Sequence, residues 1–204
     1  MCCDPLEFWV LLTNLSSNSA YGLCAPFLPT EFEKKGIAGA YVGMVFAVYS
    51  VAQIFVSPFV GKVVDSWGHK NIMSLGIGFM GLAFIFFGFI ERLESKPVLL
   101  TLGCVLRFLQ GTGSAFVQTT CYTIATNDFS EKQERLIGLL EAMAGLGLIV
   151  GPMIGSALYS FLGFEKTFFV YGSMIVILAV TIRLFIPERR NVAVKSRGEK
   201  ENNE

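Results

Sequence analysis

Six stretches of this chain run for about twenty residues or more with almost no charge, and short polar segments separate them. They lie near 8–29, 40–64, 72–90, 98–126, 136–162 and 167–186. A hydrocarbon core about 30 Å thick needs roughly 20 apolar helical residues at about 1.5 Å rise each, so every stretch is long enough to cross a bilayer. The pattern predicts an all-α membrane protein whose six transmembrane helices form one bundle over residues 1–187. Residues 188–204 mix charges without apolar periodicity, which predicts a disordered cytoplasmic tail. The first stretch follows Asp4 and Glu7 rather than a basic leader and reads as an uncleaved helix.

Composition supports lipid as the solvent: 53% of the residues are apolar and only 16% charged, far from an ordinary soluble domain. Formal charge sums to zero, but Lys62, Lys70, Lys132, Arg135 and the basic residues of 189–200 gather on one side of a six-crossing layout. The positive-inside rule then places both termini in the cytosol. Lys34, Lys35, Arg92, Lys96 and Lys166 fall on the other side, so the orientation rests mainly on the tail. The five cysteines show no metal-ligand or redox spacing; Cys2 and Cys3 are candidates for palmitoylation, and the others read as packing residues. His69, the one histidine, sits in a polar turn and reads as a surface residue, with pH sensing as the alternative. No nucleophile–base pair or metal-ligand set is visible, which argues against an enzyme, and neither a cofactor nor a nucleic-acid partner is expected.

Polar residues inside the apolar stretches carry the candidate chemistry, because an isolated helix in hydrocarbon cannot satisfy them. In the first stretch Asn14, Ser17, Asn18 and Tyr21 share one stripe, which reads equally as interhelical glue or as a cavity wall. In the fourth, Arg107, Gln110, Ser114, Gln118 and Cys121 follow the same period. Arg107 lies about ten residues in, roughly 15 Å deep, so it is expected to meet a carboxylate, helix-end carbonyls or water. The fifth carries Glu141, which either snorkels outward or faces the cavity near Arg107, where it can bind an amine or a proton. Gly145, Gly147, Gly151, Pro152 and Gly155 follow as a small-residue stripe, suited to a tight crossing or to a hinge. The apolar third stretch, with Phe84, Phe86, Phe87 and Phe89, is expected to face lipid on most sides as scaffold.

The turn after the second stretch reads Gly61-x-x-x-Asp65-x-x-Gly68-x-Lys70 and resembles the loop 2–3 signature of the major facilitator superfamily. Arg107-x-x-Gln110-Gly111 resembles that family's helix 4 motif, and Gly147-x-x-x-Gly151-Pro152-x-x-Gly155 the helix 5 motif of its proton-coupled antiporters. The resemblance implies the amino-terminal six-helix half of the fold, built as a 3+3 repeat. Within the family, residues 25–36, 42–44 and Leu140-Glu141 look like the vesicular amine transporters, specifically the polyamine branch. The monoamine and acetylcholine members carry an Asp in helix 1 and a Lys in helix 2. Here Asn14 and Asn18 stand in helix 1 and Tyr49 at the helix 2 position, leaving Glu141 as the acid for a cationic substrate.

The resemblance also implies roles. Gly61, Asp65, Gly68 and Lys70 would form a cytoplasmic latch, and Arg107 would serve proton coupling or charge balance. The expected function is proton-coupled antiport of a small organic cation, with lipid, protons and a second six-helix half as partners. Two alternatives stand beside it: a non-transporting half that binds or regulates a full-length transporter, and a drug:proton antiporter of other specificity.

Overall fold

The computed structural model describes residues 5–186; the readings made for Cys2, Cys3 and the 188–204 tail lie outside them. Five helices follow one another: α1 (Pro5–Lys34), α2 (Gly39–Trp67), α3 (His69–Gly88), α4 (Lys96–Asn127) and α5 (Gln133–Phe185). Short 3-10 turns cover Phe89–Arg92 and Ser130–Lys132, and no strand occurs among the described residues. Four helical stretches, Gly39–Trp67, His69–Arg92, Lys96–Asn127 and Ser130–Phe185, are long and apolar enough to cross a membrane. Helix α1 stands apart because Asn14, Ser16, Ser17, Asn18 and Ser19 dilute its apolar character.

Two glycines shape the connections. Gly68, at φ 83° and ψ 139°, is the whole link between α2 and α3, where the apolar pattern leaves seven to ten residues outside the lipid-length segments. Helical geometry therefore continues past the hydrocarbon, and a backbone conformation that suits glycine ends it. Inside α5, Gly163 adopts φ 78° and ψ −179° and divides the element into limbs 133–162 and 164–185.

Contacts show that the chain doubles back at this break. The first limb runs beside α1 from the Arg135–Glu7 ion pair to the Tyr159–Glu31 hydrogen bond. The second returns beside α3, from Gly88 against the Glu165 carbonyl to Ser74, which donates to the Ala179 carbonyl at 3.0 Å.

Helix α1 thus packs on the first limb of α5, α2 on α4, and α3 between α4 and the second limb. Glycines bring the backbones together: a Cβ on Gly111 would lie 2.3 Å from the Tyr49 carbonyl oxygen, and one on Gly151 2.3 Å from that of Ser19. Helix α3 corrects the expectation of a lipid-facing scaffold. Phe84 and Phe87 are 1% and 0% exposed, packed on Phe168. Hydropathy does not separate a lipid-facing side from a helix-facing one, since lipid tails are as apolar as leucine. Open apolar positions lie on α2, at Ile54, Phe55 and Phe59, on the first limb of α5, at Ile149 and Met153, and on one side of α3, at Phe79, Leu82 and Phe86.

Candidate functional site

Helices α1 and α4 turn their polar stripes inward and meet in the middle of the bundle. Asn14 is buried and donates to the Leu140 carbonyl of α5 at 2.7 Å, while Asn18 donates to the Asn14 carbonyl and side-chain oxygens at 2.9 and 3.0 Å. Ser17 and Ser114 lie 3.3 Å apart across the α1–α4 contact, and Gln118 donates to Ser114 at 3.4 Å. Asn14 and Ser17 thus make contacts between helices, each worth on the order of 1 kcal/mol. Asn18 and Gln118 stay half-buried.

Arg107 is the largest fully buried side chain among the described residues. Its position follows from the α4 period, which puts residues 107, 110 and 114 on one face. Nη1 donates to Gln110 Oε1 at 3.2 Å, and the guanidinium carbon lies 4.6, 5.6 and 5.9 Å from the ring centres of Phe46, Phe87 and Tyr49. Nε and Nη2, with Gln110 Nε2, are buried without a hydrogen-bond partner. Of the three kinds of partner expected, a carboxylate is not the one found: among the described residues no Asp or Glu forms an ion pair with Arg107. Aromatic faces supply part of that role through their negative quadrupoles. Phe87 lies in the stretch expected to be scaffold, and Phe46 escaped the sequence reading although it carried a usable signal, one helical turn before Tyr49.

Glu141 is not brought to Arg107. It stands exposed on the first limb of α5 and accepts a hydrogen bond from the Tyr122 hydroxyl of α4 at 2.5 Å. The helix 5 motif lies against α1: a Cβ on Gly147 would meet the Leu15 carbonyl oxygen at 2.8 Å, and one on Gly155 the Phe27 ring at 2.7 Å. Pro152 packs on Gly22, within 3.1 Å of where a Cβ would stand.

At one end of the bundle, Gly61 and Asp65 are exposed near the end of α2, Gly68 makes the turn, and Lys70 is half-buried. His69 is not the surface residue expected from sequence; it is 6% exposed, with Asp128 3.6 Å and Asp65 4.0 Å from its ring nitrogens. At the other end Lys35 donates to the carbonyls of Ile90, Glu91 and Leu93, Lys96 to that of Gly36, and Arg92 pairs with Glu165. Lys34 bonds Glu31 at 2.6 Å and Tyr159 at 3.2 Å, and these two groups, Glu31 first, hold its ammonium above the ordinary lysine range. No group of three or more His, Cys, Asp and Glu side chains suited to a metal occurs among the described residues.

Comparison with known proteins fits this arrangement. The human MFS-type transporter SLC18B1 is 31% identical over 173 residues, which cover 85% of this chain and 38% of that protein. The vesicular acetylcholine transporter unc-17 of Caenorhabditis elegans is 34% identical over 162 residues, 78% of this chain and 29% of the relative. Multidrug resistance protein 2 of Bacillus subtilis is 26% identical over 188 residues, 91% of this chain and 45% of the relative. The chain therefore spans less than half the length of these relatives, all named as transporters or resistance proteins rather than enzymes. The profile of the Major Facilitator Superfamily matches residues 10–204. With helices throughout, buried polar stripes on α1 and α4, and that match over nearly its whole length, the chain belongs to the Major Facilitator Superfamily.

Proposed function

We propose that this chain is the amino-terminal half of a carrier that exchanges protons for a small organic cation, an amine or polyamine, between itself and a second six-helix half. The observation that carries the cationic substrate is Glu141: an acid two turns into α5, exposed, held by Tyr122, and without an ion-paired cation among the described residues. Such a carboxylate at membrane depth marks a solute or proton path by default.

The doubling back at Gly163 supports six crossings, with both termini on the cytosolic side. The α1 pairing with the first limb of α5 resembles the α2–α4 pairing: both are parallel and glycine-lined, as a 3+3 repeat requires. The open faces of α2 and α5 offer a second bundle its contact. In this reading Arg107 and Gln110 balance charge during proton transfer, while Asn14, Asn18, Tyr49 and Gln118 shape the wall. Gly61, Asp65, Gly68 and Lys70 latch the cytoplasmic end, and Gly147, Gly151, Pro152 and Gly155 form the rocking contact.

The test is proton-gradient-driven uptake of labelled spermidine into proteoliposomes, with the chain alone and beside the carboxy-terminal part of the human relative. Glu141→Gln is expected to lower uptake about tenfold or more, the weight of one charge-assisted contact, with the protein still folded. Uptake unchanged by both Glu141→Gln and Asp65→Ala would remove both role assignments. If the chain is silent at every density yet alters uptake by a full-length relative, the regulatory reading replaces transport.

A further inference from the structure

His69, the only histidine of the chain, opens α3 beneath two carboxylates from two other helices. Its Nδ1 is 3.6 Å from Asp128 Oδ2 at the C-cap of α4, and its Nε2 is 4.0 Å from Asp65 Oδ1 in the last turn of α2. The ring is 6% exposed, and Nε2 is buried without a hydrogen-bond partner. Lys70 is the next residue of the same helix, Arg183 of α5 donates to Asn71, two residues on, and Glu131 and Lys132 lie in the short turn that follows Asp128.

A neutral imidazole has one N–H and one lone pair, so it can donate to only one of two carboxylates and turns its lone pair on the other. An imidazolium has a donor for each. At 3.6 and 4.0 Å the two contacts are ion-pair rather than hydrogen-bond distances, and both become charge pairs only when the ring carries a proton. We propose that His69 is a proton-binding site whose occupancy ties the ends of α2 and α4 to the start of α3.

The sign is fixed by the partners. A protonated ring places a positive charge between two carboxylates and a neutral ring does not, so the tie is present in acid and is lost as rising pH removes the proton. Histidine is suited to the task because its free side chain changes charge near pH 6.5, about the middle of the physiological range. The device acts on the end of the bundle where the proposed latch lies, but its readout does not depend on transport.

Hydrogen exchange of the full chain in lipid nanodiscs, purified without a polyhistidine tag, tests it. The reporters are the helix-end amides of Gly68, Ile72 and Asp128, which bond to the carbonyls of Val64, Gly68 and Ile124. After correction for intrinsic exchange, protection is expected to be about fivefold greater at about pH 5.5 than at about pH 7.5. His69→Gln should show the low protection at both pH values, and His69→Arg, a permanent cation, the high protection at both. A pH response that persists in His69→Gln overturns the proposal, as does one that persists in His69→Arg. If arginine does not fold at this site, Asp128→Asn decides: the response must fall to half or less, and an unchanged response overturns the proposal. Loss of spermidine uptake with this pH response intact would count against the carrier reading alone.

Discussion

Arg107→Met is expected to leave the described bundle as stable as before, or about 1–3 kcal/mol more stable, while abolishing transport in the assembled carrier. The reason lies in the opposing magnitudes. Burying one ion costs several kcal/mol even after relaxation, and the two unpartnered nitrogens add about 1–3 kcal/mol each. Against this stand one hydrogen bond to Gln110 and three ring contacts, each worth about 0.5–2 kcal/mol. The balance is unfavourable, so an apolar chain of similar length should be tolerated. Arg107→Ala separates charge from volume: it leaves a void between Phe46, Tyr49 and Phe87 and should destabilise by about 2–4 kcal/mol. Thermal unfolding in detergent reads both. A loss above about 1 kcal/mol for Arg107→Met would show that the cage stabilises the cation, against this accounting.

Gly111→Ala and Gly151→Ala carry the second large effect. In each case the new methyl would fall 2.3 Å from a carbonyl oxygen of the facing helix, Tyr49 or Ser19. A helix backbone cannot yield as a flexible side chain can, so the whole crossing must open. The expected cost is about 1–3 kcal/mol each. The two crossings involve different helix pairs, α2 with α4 and α1 with α5, so the double variant should lose the sum within about 0.5 kcal/mol. Gly138→Ala is the control: no atom comes within 4 Å of its Cβ, and a small gain from helix propensity is expected. If all three behave alike in denaturant unfolding, glycine packing is not what holds these helices together.

Much of this was legible in the sequence because it depends on period alone. Spacings of three and four put Asn14 with Ser17 and Arg107 with Gln110 on single faces, and a buried face is where unsatisfied polar groups must go in lipid. What period cannot give is the rotation of one helix against another. Arg107 and Glu141 are each readable as membrane charges, yet their separation follows from how α4 and α5 meet, which no residue count contains. The same gap explains α3, whose apolar faces look alike to hydropathy although most are covered by neighbours. It also explains His69, whose burial depends on a single-residue turn at Gly68 and on an aspartate from a distant helix.

The break at Gly163 has a mechanical consequence. A loop of several residues between two passes would absorb displacement, so that one pass could shift lengthwise while the other stayed in place. Here one residue joins the limbs, with the Arg92–Glu165 pair fastened two residues later. The linkage has no slack. A lengthwise shift of the first limb along α1 is therefore passed to the second limb and through it to α3, so a force applied at one crossing is felt on the far side of the bundle.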